Sequence, residues 1–263
     1  MTQIDLSSLQ HLVLEKKLYR QRRDQLQLDL MALQLQLYRS RRRAILVVEG
    51  PDAAGKGGFL RRALRYMDPR GVRVHAIGPP DAIEAGQHYL QRFWRRLPTS
   101  GQLCVFDRSW YGRILVEHVE HGYKERERAC REIVEFERML VDDQIMVVKL
   151  LFYIDKETQR NRLLTRLESP EKHWKITDAD LNSFPFHHQY RQAYEYMLKQ
   201  CSQPVPWQLV AANDKYHARV AGMEALSEQW RQHLGEPAHP QANAAFVARA
   251  RRVLERRREH SND

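Results

Sequence analysis

Residues 44–58 constrain what this chain can fold into more than any other stretch. They read Ala-Ile-Leu-Val-Val-Glu-Gly-Pro-Asp-Ala-Ala-Gly-Lys-Gly-Gly. Ala44 to Val48 is a short apolar, β-branched run, as expected of a parallel strand buried on both faces. Gly50, four residues and Gly55-Lys56 follow at once, which is most of a P-loop. In such a loop successive backbone N–H groups cradle phosphate at a helix N-terminus. The candidate cradle runs through Gly50, Ala53, Ala54, Gly55, Lys56, Gly57 and Gly58, with Lys56 reaching the phosphates as a point charge. The usual Ser or Thr after the lysine, which ligates Mg²⁺ through its hydroxyl, is replaced by Gly57. Asp52, inside the loop, supplies the missing oxygen ligand on one reading. On the other, the stretch is an ordinary glycine turn and Asp52 only caps the helix.

Further strands are expected at 72–77, 103–106, 145–154 and 206–211. Asp107 ends the third of these at the Walker B position, where a carboxylate holds Mg²⁺. Arg108 beside it either stabilises charge on a transferring phosphoryl group or pairs with Asp107. Lys149, inside the fourth strand, needs a partner if buried. Asn213-Asp214-Lys215 follows the last strand, at the sheet end where ligands bind in open α/β folds.

Helices are expected at 5–39, 59–66, 83–97, 129–142, 155–167, 177–200 and 216–234. Leu26, Leu30, Leu33 and Leu37 form a stripe for packing against the main domain or a partner chain. In the third helix Tyr89, Phe93 and Leu97 form a core face with the arginines outward. In the fourth, Ile133, Phe136, Leu140 and Val141 face inward and Glu132, Glu135 and Glu137 face solvent. Arg160, Arg162 and Arg166, a proline break, and then Lys172, Trp174 and Lys175 suit either a lid closing over phosphates or a basic surface loop. The alternation of strand and helix predicts a doubly wound parallel sheet. The domain reading is an N-terminal helical extension over 1–43, a core over 44–234 with the lid near 160–180, and a basic tail over 235–263.

The chain has 263 residues and a formal charge of +10. A basic surplus points to a polyanionic partner without choosing among nucleic acid, anionic membrane and phosphate-rich small molecules. The three cysteines, Cys104, Cys130 and Cys201, are too few and too far apart for a disulfide framework or a zinc cluster. They fit a reducing cytoplasm. No apolar run approaches a membrane span, and no signal-peptide segment is expected.

Four stretches together resemble the polyphosphate kinase 2 family: 49–58, Phe-Asp-Arg-Ser-Trp-Tyr-Gly-Arg at 106–113, Arg162…Arg166…Pro170…Lys172…Trp174-Lys175, and Pro206-Trp207…Asn213-Asp214-Lys215. The likeness covers roughly residues 10–234. It implies a three-layer P-loop kinase fold, with a parallel sheet of about five strands and a lid. It implies Mg²⁺-dependent (or Mn²⁺-dependent) phosphoryl transfer between inorganic polyphosphate and a nucleoside mono- or diphosphate. Asp52 and Asp107 then correspond to the metal-linked pair, with Lys56 and Arg108 as the other catalytic candidates. Arg162, Arg166, Lys172 and Lys175 correspond to the polyphosphate-binding lid cations. Arg108, Tyr111, Gly112 and Arg113 form the candidate nucleotide-binding segment. The Trp-Tyr-Gly-Arg wording and residues 136–142 look closest to the polyphosphate:AMP phosphotransferase branch, although Gly78-Pro79-Pro80-Asp81 differs from the Ala-Pro-Thr usual there. A homo-oligomer, dimer or tetramer, is expected, with neither nucleic acid nor membrane as partner. The competing expectations are phosphorylation of ADP or GDP from polyphosphate, an ATP-dependent kinase, and a nucleic-acid-binding protein with a purely structural P-loop.

Overall fold

The computed structural model describes residues 5–239 and 243–259. Five strands form one all-parallel sheet: β1 (Arg43–Glu49), β2 (Val72–Ala76), β3 (Leu103–Asp107), β4 (Ile145–Tyr153) and β5 (Trp207–Ala211), in spatial order 2-3-1-4-5. Eleven helices are described: α1 (Lys16–Arg39), α2 (Lys56–Ala63), α3 (Ala82–Ala85), α4 (Gln91–Trp94), α5 (Val116–His121), α6 (Arg126–Asp142), α7 (Lys156–Leu167), α8 (Asp178–Ser183), α9 (His187–Gln200), α10 (Lys215–Leu234) and α11 (Ala244–Glu259).

The strand order follows from burial. β1 and β4, fully apolar but for Arg43, Glu49 and Lys149, take the centre, and the more polar β2 takes an edge. Alternate residues feed two apolar layers, because successive side chains of a strand point to opposite faces. Ile45, Val47, Cys104, Phe106 and Val147 pack with residues of α4, α6 and α9. Leu46, Val48, Val105, Val148 and Leu150 pack with residues of α1, α2 and α10. The α/β three-layer architecture is therefore as expected, and the leucine stripe of α1 closes the second layer. Among the described residues no helix is long and apolar enough to cross a membrane.

Several boundaries differ. The segment 5–39 is not one helix. A 3₁₀ turn at Leu6–Ser8 and an extended strap precede α1. Leu6 is buried in the first layer, and its N–H donates to the Glu195 carboxylate at 3.0 Å, so the strap is tied down by tertiary contacts that override helical periodicity. The expected helix 83–97 breaks at Gly86 into α3 and α4, although Phe93 is buried as foreseen. The helix over 177–200 is interrupted at Phe184–Phe186, where Pro185 removes a backbone donor. The P-loop helix starts at Lys56 rather than at Phe59.

Two side-chain expectations are corrected. Val141 is exposed, and Glu137 is fully buried rather than solvated. Glu137 is the partner that Lys149 needs, with Nζ to Oε2 at 2.7 Å. Cys130 and Cys201, far apart in sequence, lie near one another as free buried thiols. In the tail, Pro240, Gln241 and His260 lie outside the described residues, as do the side chains of Arg256, Arg257 and Arg258.

Candidate active site at the P-loop

The loop between β1 and α2 is shaped by its backbone. Gly50 has φ +142°, and a Cβ there would come 2.1 Å from the Phe152 carbonyl oxygen, so only glycine passes beneath β4. Ala53 also takes a positive φ, 63°. At Gly57 a Cβ would meet nothing within 4 Å, which leaves the N-terminus of α2 open to close approach by a ligand. The Lys56 ammonium is folded back over its own loop and donates to the Gly50 and Pro51 carbonyls at 2.6 and 3.1 Å.

Asp52 and Arg108 are brought together from different strands. Arg108 leaves the tip of β3 with φ 63°, and its guanidinium donates to Asp52 Oδ1. Ser183 donates to the other carboxylate oxygen at 3.0 Å. Burial opposes ionisation of Asp52, but the charges of Lys56 and Arg108 and the Ser183 hydroxyl together hold its carboxyl below the ordinary value. Burial likewise opposes the charge on Arg108, yet Asp52 carries its pKa above the usual range. The partner of Arg108 is thus Asp52, not Asp107. Asp107 stands half-buried at the end of β3, with no hydrogen-bond or ion-pair partner for its carboxylate among the described residues. Glu49 is fully buried beside them, and burial pushes its carboxyl up although Ser109 donates to it at 2.7 Å.

A hard divalent cation asks for oxygen ligands and tolerates phosphate oxygens among them. The donor set suits such an ion. Asp107 offers an uncommitted carboxylate, and Asp52 offers one already oriented by Arg108 and Ser183. Among the described residues there is no cluster of three or more metal-capable side chains, so the remaining ligands would come from phosphate and water.

On one side of this junction lies a cavity of about 610 Å³. Its walls include Asp52, Arg108, Gly112 and Arg113, with Trp110, Tyr190 and Tyr194 as apolar surface. Gly112 opens directly on it, since a Cβ there would meet nothing within 4 Å. Arg113 pairs with Glu117 and stacks over Tyr123 at 4.3 Å. Tyr111 does not belong to the cavity. It is fully buried, and its hydroxyl donates to Glu137 at 2.8 Å, so its expected place in the nucleotide-binding segment is corrected to a core position.

On the other side, cations gather around the N-terminus of α2. Burial lowers the pKa of Lys215, and the charges of Arg162, Arg219, Lys172 and Arg166 lower it further. Arg219 lies 3.8 Å from where a Gly58 Cβ would stand. Lys175 reaches outward, 5.0 Å over the Trp174 ring. Arg166 donates to the Lys175 carbonyl at 2.8 Å and pairs with Asp180 at 3.3 Å, which ties the loop 168–177 to α8. Arg162 does not stand with the loop cations. It is buried, and it donates to the carbonyls of Ala53, Ala54, Ala212 and Asn213 at 2.7–3.1 Å, stapling the P-loop to the tip of β5. Burial, reinforced by Arg219, lowers its pKa to about 10.

Sequence reasoning missed Gln159, Ser183 and Arg219. Gln159 donates to the Asp52 carbonyl at 3.1 Å, and its Oε1 is buried without a partner. Lys215 and Arg219, four residues apart at the start of the helix after β5, carried a readable signal, because that spacing places both on one helix face. Ser183 carried none.

The sequence model of the polyphosphate kinase 2 family matches residues 13–236. The chain is similar to the polyphosphate:AMP phosphotransferase of Pseudomonas syringae pv. tomato, with 43% identity over 187 residues covering 70% of this chain. It spans only 38% of that relative's length. It is also 38% identical over 208 residues to ADP-polyphosphate phosphotransferase 2 of Rhizobium meliloti, covering 78% of this chain and 68% of the relative. The crystal structure of polyphosphate kinase 2 from Arthrobacter aurescens TC1 matches with a TM-score of 0.84 at 29% identity, over 96% of this chain and 93% of that one.

Proposed function

The chain belongs to the polyphosphate kinase 2 family, and on that premise we propose that it moves a phosphoryl group between inorganic polyphosphate and a nucleotide, with AMP as the preferred acceptor. The observation that carries the proposal is the two-sided junction at Asp52 and Arg108. Arg219 stands beside the first turn of α2 on one side, with Lys215 and Lys172 near enough for their charges to act on one another, and a 610 Å³ cavity opens on the other. A polyanionic donor suits the cationic side, where like charges act on one another. A nucleotide suits the cavity, whose aromatic walls carry a few convergent polar groups.

Phosphoryl transfer asks the protein chiefly for positioning and charge neutralisation. The N-terminus of α2 and Lys56 bind the donor's terminal phosphates. Arg108, held by Asp52, directs its guanidinium to the transferring group. Asp52 and Asp107 would hold Mg²⁺, with Mn²⁺ as a substitute, and the ion supplies neutralisation of charge on the phosphates. Arg166 orders the lid, and Lys172 and Lys175 extend the cationic surface along the donor. The proposal includes assembly as a dimer or tetramer, which light scattering tests, and a cytoplasmic location, supported by three buried free thiols.

Incubating the purified chain with polyphosphate, Mg²⁺ and each of AMP, ADP, GMP and GDP, with product analysis, tests the proposal. ADP formed from AMP at the highest kcat/KM is the expected result. Formation of triphosphate from ADP or GDP as the main reaction moves the chain to another branch. Turnover with ATP alone as donor, or salt-sensitive nucleic-acid binding without turnover, overturns it.

A further inference from the structure

The segment after β3 is suspended from a buried ion pair. Arg108 turns the chain with φ 63°, and Ser109 donates to Glu49 at 2.7 Å. Trp110 Nε1 then donates to Glu137 Oε1 at 3.1 Å, and the Tyr111 hydroxyl donates to the same oxygen at 2.8 Å. Lys149 Nζ donates to Glu137 Oε2, the Tyr111 hydroxyl and the Cys201 carbonyl at 2.7, 2.8 and 2.7 Å. All three ammonium hydrogens are therefore used. Both charged side chains have 0% exposure.

The geometry points to the Glu137–Lys149 pair as the positioning device of the acceptor site. This rests on the reading of the 610 Å³ cavity as the nucleotide pocket. Three features carry it. First, the pair sits on a sheet face otherwise filled by Ile145, Val147 and Leu151, where apolar residues would stabilise the core at least as well. Second, what the pair grips is specific: two consecutive residues of the segment that runs from Arg108 to Arg113. Trp110 lines the cavity, and its indole is fixed by Glu137 and by edge-to-face contacts with Phe93 and Phe136 at 5.6 and 5.0 Å. Gly112 and Arg113, the next cavity-lining residues, inherit their position from the anchored Tyr111. Third, the pair touches none of the cations on the donor side. Loosening it therefore shifts the acceptor wall while the P-loop and the lid stay in place.

Trp110→Phe, Tyr111→Phe, Glu137→Gln and the double variant Tyr111→Phe/Glu137→Gln test this. Nucleotide Kd is measured by calorimetry without polyphosphate, alongside KM for each substrate and the melting temperature. Each single variant is expected to raise nucleotide Kd and KM about fivefold or more, with polyphosphate KM changed by less than about twofold. The double variant is expected to be no worse than its more damaging parent, since both break one network. Unchanged nucleotide Kd in folded variants, equal weakening of both substrates, or additive effects in the double variant overturn it. Tyr111→Phe removes only a hydroxyl, at a residue that does not line the cavity, and keeps both charges paired, so it remains informative should Glu137→Gln fail to fold. The variants are scored with whichever nucleotide the wild-type chain binds, and absence of any nucleotide binding by the wild-type chain counts against the proposed function itself.

Discussion

At Gly112 the backbone φ is ordinary and the space beyond it is the cavity. An asparagine is therefore tolerated by the fold and felt by the acceptor. Gly112→Asn is expected to leave the melting temperature unchanged and to lower kcat/KM for AMP relative to ADP by about tenfold. Paired kinetics with one polyphosphate preparation check this, and an unaltered ratio removes Gly112 from acceptor selection. Asp52→Asn and Asp107→Asn are each expected to cost several kcal/mol of transition-state stabilisation, roughly a hundredfold or more in kcat, in folded protein. Asp52 also has a signature in stability. Its carboxyl is held below the ordinary 3.8 by Lys56, Arg108 and Ser183 against the opposing effect of burial. The stability this contributes is present above 3.8 and is lost as pH falls through the lower folded value. Melting temperature followed down from pH 5 should fall more steeply for the wild type than for Asp52→Asn, and parallel curves would refute the linkage. At this scale the loop residues were legible because phosphate-binding turns demand particular residue types. The buried role of Glu137 was not, because an acidic residue on an amphipathic helix reads as solvated until its partner is known. Tyr111 was misplaced for the same reason, since its hydroxyl answers to Lys149, 38 residues away in sequence.

Among the elements, the loop between α7 and α8 and the contact of α10 with the sheet differ in what they risk. Arg166 joins the loop to α8 through Asp180 and the Lys175 carbonyl while the rest of 168–178 stays largely exposed. Arg166→Ala is expected to lower kcat about tenfold or more with a small change in melting temperature, because little core burial is lost. A collapse in stability with unchanged kcat per folded molecule would make Arg166 structural. On α10 the opposite holds. A Cβ at Gly222 would stand 2.8 Å from the Phe152 ring and 2.9 Å from Phe59. Gly222→Ala should destabilise by about 1–3 kcal/mol through overpacking while kcat of the folded fraction is kept, as chemical denaturation and active-site titration will show. The strands were legible as elements since each is a short apolar run between turn residues. Helix breaks were less so. Gly86 and Pro185 stand in stretches whose apolar spacing still looks helical, and the strap before α1 is set by Glu195 and Asp214, far away in sequence.

For the whole molecule, a formal charge of +10 and the cations at the α2 N-terminus act on the donor more than on the acceptor. Raising ionic strength should therefore increase polyphosphate KM steeply and nucleotide KM little. Equal salt dependence of the two would contradict the division of the site. The sheet order has a consequence in time. Arg43 at the start of β1 pairs with Ile145 at the start of β4, 145 − 43 = 102 residues later. At about 5–20 residues per second, a ribosome needs roughly 5–20 s to deliver that second neighbour. Through that interval at least one edge of the central strand, the one that leads into the P-loop, waits unpaired. A nascent chain of this design stays exposed to misassociation until β4 has been made, and is in need of a chaperone up to then.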